Sequence, residues 1–119
     1  MDDARPIFVQ IAELIENSII DGTLGEDAQV PSTNELAAFH RINPATAAKG
    51  VGQLVDDGTL YKRRGIGMFV TPGARAALRE RRRRDFTDQY VRPLITEARK
   101  LGIGTEELTK MIDTWDDDR

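Results

Sequence analysis

The chain has no cysteine and a single histidine among its 119 residues. That removes disulfides, thiolate metal sites and any sign of an oxidising compartment. Long apolar runs are missing too: the longest are three or four residues, and the opening MDDARP is acidic rather than basic. Neither a transmembrane helix nor a signal peptide is expected, so the protein reads as soluble and cytoplasmic with no membrane partner. No Ser/His/Asp set, phosphate loop or pair of buried carboxylates can be assembled, which leaves catalysis without a candidate residue and no cofactor to expect. His40 stands without cysteine or an acidic cluster, and Asp116-Asp117-Asp118 lacks the alternating ligands and glycine of a calcium loop. Both read as solvated surface, and no metal site is expected.

A basic surplus is also absent. Seventeen basic residues face twenty acidic ones, a net charge of −3, whereas nucleic-acid-binding domains are usually basic. The first 72 residues hold six basic residues (Arg5, Arg41, Lys49, Lys62, Arg63, Arg64) against ten acidic, and residues 73–119 hold eleven against ten. Any interaction with DNA in the first part must rest on where its few cations stand.

What the chain does contain is a punctuated stretch, VPSTNELAAFHRINPATAAKGVGQLVDDGTLYKRRGIGMFV, from Val30 to Val70. Ser32 followed by Glu35 forms a capping box, in which the hydroxyl accepts an orphan amide and the carboxylate reaches back. Asn43-Pro44 is a second helix start, since asparagine caps amides and a first-turn proline has no N–H to leave unsatisfied. Only His40 to Asn43 separate the two helices, so they cross steeply and present the start of the second outward. That is a helix-turn-helix. After Asp57-Gly58, residues 59–62 and 67–71 read as two short strands joined through Arg63-Arg64-Gly65-Ile66, a wing with a basic tip.

Residues 6–21 read as a first helix, with Ile7, Ile11, Leu14, Ile15 and Ile19 at helical spacing and Gly22 as its stop. The following TLGEDAQVP reads as a polar, turn-rich connection that enters Ser32 extended. Leu36, Ala37 and Phe39 of the second helix and Ala47, Val51, Leu54 and Val55 of the third are expected to face the first, under a cover of Leu60, Met68 and Val70.

After Pro72-Gly73 strand signals cease. Residues 74–101 read as a long helix kinked near Pro93, where proline clashes with the carbonyl of Gln89. Its apolar set is Leu78, Phe86, Tyr90, Val91, Leu94, Ile95, Ala98 and Leu101. Gly102-Ile103-Gly104 breaks it, and a last short helix from Thr105 carries Leu108, Met111, Ile112 and Trp115. A helical hairpin with an apolar stripe on both arms has too little domain to cover it, and two copies packed together would. Residues 73–119 are therefore expected to dimerise through the stripe from Phe86 to Trp115. Arg79–Arg84, RERRRR, rings its helix rather than lining one face and reads as solvated charge.

The stretches PIFVQIAELIENSIIDGTL, VPSTNELA and INPATAAKGVGQLVDDGTLYKRRGIGMFV resemble the winged-helix domain of GntR-family bacterial transcription regulators. The P-S-x-x-x-L-A helix start, the D-G turn and the G-x-G-x-F-V wing occur in order and at family spacing over residues 6–71. The short helical C-terminus resembles the YtrA subfamily of dimeric regulators. The resemblance implies a mainly α fold with a small β wing: a winged helix-turn-helix, residues 1–72, followed by a C-terminal helical hairpin. It implies a regulator, a repressor by expectation, that binds a two-fold-related double-stranded operator as a homodimer. Contacts would come from Ser32, Thr33 and Asn34 at the second helix, from Asn43, Ala45, Thr46 and Lys49 on the recognition helix, and from Arg63, Arg64, Gly65 and Gly67 in the wing. Gly67 reads more as a backbone requirement than as a contact. Two departures shift that burden, because Asn34 and Pro44 stand where the family usually has arginine.

Two other classes compete. A winged-helix protein-interaction module without DNA binding would suit the acidic charge and Asn34, and a single-strand binder would need exposed aromatics on a sheet, where Tyr61 is the only candidate. An unidentified small-molecule effector would fit only between the tail and the winged domain or across a dimer seam.

Overall fold

Isoleucines at every fourth position give residues 7–20 one continuous apolar stripe, and the computed structural model, which describes residues 4–115, makes them the first helix, α1 (Ile7–Ile20). The Asp116–Asp118 run lies outside the described residues. There follow α2 (Thr33–His40), α3 (Pro44–Asp56), β1 (Leu60–Arg63), β2 (Gly67–Val70), α4 (Ala74–Phe86), a π-helical turn (Thr87–Val91), α5 (Arg92–Lys100) and α6 (Thr105–Asp113). The chain divides into two compact units, Met1–Glu80 and Arg81–Arg119.

In the first unit, Ile11, Ile15 and Ile19 of α1 are buried with Leu36 and Ala37 of α2 and Ala47, Val51 and Leu54 of α3; Val55 and Met68 pack at the edge. Leu60 and Val70 close the core from the hairpin, as do Ala74 and Leu78 of α4. Gly50 marks a close approach of α1 and α3: a Cβ there would stand 2.7 Å from the backbone oxygen of Phe8. Only glycine lets the two helices touch backbone to side.

Several expectations need correction. Phe39 faces solvent at 82% exposure, because Leu36, Ala37 and half-buried His40 already take the inward side of this two-turn helix and Phe39 points away from it. Ile7 and Leu14 lie at the exposed edge of α1 rather than in the core. The connection before Ser32 is not merely polar turn. Asp27 N–H donates to Val70 O (2.8 Å), Val70 N–H to Ala28 O (3.0 Å) and Val30 N–H to Met68 O (2.9 Å), and Gln29 bridges Phe69. The segment therefore edges the hairpin as a third extended strip, and Val30 joins the core.

In the second unit the chain passes Pro93 by widening the helix. The Arg92 N–H reaches back five residues to Thr87 O, which shifts the hydrogen-bond register just before the proline ring would meet the Gln89 carbonyl. The expected disturbance near Pro93 thus takes the form of a π turn. At the far end of α5 the Ile103 amide returns to Ala98 O (2.8 Å) and the Gly102 amide to Arg99 O (3.2 Å), a Schellman closure. Leu94, Ile95, Leu101, Met111, Ile112 and Trp115 all remain exposed, so α5 and α6 leave most of their large apolar residues open, while Ala98 is buried and Leu108 half-buried.

Candidate nucleic-acid interface

The start of α2 is built as its sequence predicts. Ser32 Oγ accepts the Glu35 amide (3.1 Å) while Glu35 Oε1 accepts the Ser32 amide (3.0 Å). The Ser32 backbone N–H on the carboxylate, with the nearby Ser32 hydroxyl second, holds the Glu35 carboxyl below its ordinary range. Thr33 is half-buried and Asn34 exposed.

Helix α2 ends at Arg41, a non-glycine residue in the left-handed conformation (φ 55°), with the Ile42 amide bonded to Ala37 O (3.0 Å). That tight reversal turns the chain straight into Asn43, whose Oδ1 accepts the Ala45 amide (2.7 Å). Pro44 takes the first helical position. The side-chain oxygen of Asn43 is thus spent on the cap, and the residue is exposed.

Ala47, Gly50, Val51 and Leu54 turn inward. At 100° per residue the outward face is then centred on Ala45, Lys49, Gly52 and Asp56, with Ala48 and Gln53 beside it. Of the residues expected to read DNA, Asn43, Ala45 and Lys49 are exposed, and Thr46 is half-buried on the flank. Ala48 and Gln53 are exposed on the same side, a placement the inward set locates by difference. Short side chains at Ala45, Ala48 and Gly52 leave the helix slim enough to enter a groove. Asp56 and Asp57 make its far end repulsive to phosphates, so the N-terminal turns, with the positive end of the helix dipole, are the approachable part.

The hairpin pairs Leu60 with Val70, Tyr61 with Phe69, Lys62 with Met68 and Arg63 with Gly67. Lys62, Arg63, Arg64 and Gly65 are exposed at its end. Gly67 has φ 149° and its open side faces the Gln29 side chain, whose Nε2 donates to Ile66 O (3.1 Å). It is a backbone requirement. Tyr61 stacks on Phe69 and its hydroxyl donates to Asp27 Oδ1 (2.6 Å), a bond that raises the Tyr61 pKa. The predicted residues therefore gather on three outward features of one unit: the start of α2, the start of α3 and the wing.

A winged helix-turn-helix with these starts and this wing defines a class, and comparison with known proteins places the chain within it. The gntR family of bacterial regulatory proteins matches residues 8–70, and the chain belongs to that family. The HTH-type transcriptional repressor YtrA of Bacillus subtilis is 28% identical over 92% of this chain and 83% of its own length. A GntR family transcriptional regulator from Listeria monocytogenes superposes with a TM-score of 0.76 at 28% identity, covering 98% of this chain and all of that one. The DNA-binding domain of AraR, solved in complex with operator ORX1, is 34% identical over 56% of this chain and 81% of that one, with a TM-score of 0.55. No helix among the described residues is long and apolar enough to cross a membrane.

Proposed function

We propose that this chain is a cytoplasmic, sequence-specific DNA-binding transcription regulator, acting as a repressor, which engages a two-fold-related operator as a homodimer. The observation that carries this reading is the capped, outward-facing start of α3 beside a basic wing, within a family of regulators. The repressor function of YtrA and the operator complex of AraR support it. In this reading residues 1–72 hold the DNA contacts. Asn43 and Thr46 meet base edges, Ala45 meets a thymine methyl, and Lys49, Ser32, Thr33, Asn34, Arg63, Arg64 and Gly65 meet phosphates or the minor groove.

Residues 73–119 dimerise. Phe86, Tyr90, Leu94, Ile95 and Leu101 are exposed, with Val91 half-covered, and α6 adds Met111, Ile112, Trp115 and half-covered Leu108. Ala98 is already buried and serves as a small packing position rather than a contact. So much apolar surface in one short region marks an association site.

Titration of the DNA upstream of the chain's own gene, over a range of salt, tests the reading. Thr46→Ala should cost about 1–3 kcal/mol on the operator with little change on random DNA, while Arg63→Ala should weaken all duplexes and flatten the salt slope by about one unit. A wild-type chain with no salt-dependent affinity for duplex would instead favour the protein-interaction module that the acid surplus of residues 1–72 suits. Metabolites and inorganic ions added to the same titration test for an effector.

A further inference from the structure

Two of the few cations in the acidic winged unit share a setting. Lys49 Nζ lies 4.1 Å from the centre of the Phe8 ring, and the Arg63 guanidinium carbon lies 5.4 Å from the centre of the Phe69 ring. Both cations are exposed, and both rings are fixed by the fold. Phe8 is half-buried at the start of α1, where its carbonyl oxygen faces Gly50 at the crossing with α3. Phe69 is 8% exposed and sandwiched against Tyr61, which Asp27 in turn anchors through the phenol.

An exposed lysine or arginine samples many rotamers, and a phosphate that captures it must suppress them. A ring face that attracts the cation restricts it before DNA arrives and leaves its other side hydrated and open. We infer that Phe8 and Phe69 are positioning residues that present Lys49 and Arg63 to DNA phosphates. The inference rests on the proposed DNA contacts of those two cations. It explains how six basic residues among ten acidic ones in residues 1–72 suffice for an electrostatic footprint, since the cations that count are held in place.

A phosphate contact is independent of sequence, so the probe is a mixed-sequence DNA duplex, titrated by fluorescence anisotropy against the full chain at several salt concentrations. Lys49→Met should weaken binding and flatten the salt slope by about one unit. Phe8→Leu should weaken it about two- to fivefold with the slope unchanged, because the contact survives but is no longer preset. Phe8→Tyr should bind as wild type. In the Lys49→Met background, Phe8→Leu should cost nothing more. The same cycle of Phe69→Leu, with Phe69→Tyr as the retained ring, against Arg63→Met covers the wing. If a leucine variant is unfolded by circular dichroism, methionine replaces it. Losses that are equal with and without the cation would show that the rings are only structural and overturn the inference. If Phe8→Leu matters to neither affinity nor cycle while Lys49→Met behaves as expected, positioning fails and the contact stands. If Lys49→Met changes neither affinity nor slope, the contact reading itself fails.

Discussion

The two units of this chain treat apolar residues in opposite ways. In the winged unit Ile11, Ile19, Leu54, Leu60 and Val70 are at most 1% exposed, whereas in the C-terminal unit Tyr90, Leu101, Ile112 and Trp115 are each more than 60% exposed. Length is part of the reason. Three helices and a hairpin enclose a volume, but α5 and α6, nine residues each, cannot enclose one. The winged unit therefore encloses its core, while the second leaves its large apolar residues open. A second copy laid on that face, as proposed, would also serve DNA binding, because a two-fold operator asks for two recognition helices about one duplex turn, ~34–36 Å, apart.

The sharpest way to break this comparison is to charge the open face. Leu94→Asp should abolish dimerisation and lower operator affinity by about 10²–10⁴-fold through lost effective concentration, with the winged unit still folded by near-native circular dichroism. Leu54→Ala should do the reverse. It should destabilise the winged unit by about 2–5 kcal/mol in denaturant titration and leave the association of the folded chains unchanged.

Smaller effects sharpen the picture within the closed unit. Gly50→Ala pushes a methyl group against the Phe8 carbonyl, which backbone cannot evade cheaply, and should cost about 1–3 kcal/mol by thermal unfolding. Ser32→Ala should cost about 1 kcal/mol by loss of the cap. Glu35 adds a pH signature. Its folded-state pKa lies below the ordinary 4.5, so the stability it confers is fully present above that value and is lost as pH falls through the lower folded-state value. Glu35→Gln should flatten this acidic limb of the stability curve.

The features legible in the sequence were those written in local chemistry. The Ser32–Glu35 box, the Asn43-Pro44 start and the presence of a hairpin with a basic tip each depend on residues close to one another in the chain. The features that were not legible depend on contacts far apart in the chain. Gly50 looks like a weak helix residue until α1 is laid across it, and Gln29 looks like loop until β2 offers an edge. Ala74 and Leu78 look like the start of the tail, yet they complete the winged core, so a chain cut after Glu80 should be more stable than one cut after Pro72. The candidate interface followed the same division: helix starts and basic tip could be read, but the rings beneath Lys49 and Arg63 could not, since Phe8 lies far from Lys49 in sequence.

The central claim is that the exposed face of the second unit is a seam between two copies that delivers two recognition helices to one operator. Sedimentation equilibrium of the full chain without DNA tests it most directly. The account predicts a species of twice the chain mass that Leu94→Asp converts to single chains. A wild-type chain that sediments as a monomer, or a Leu94→Asp chain that remains dimeric, would contradict it.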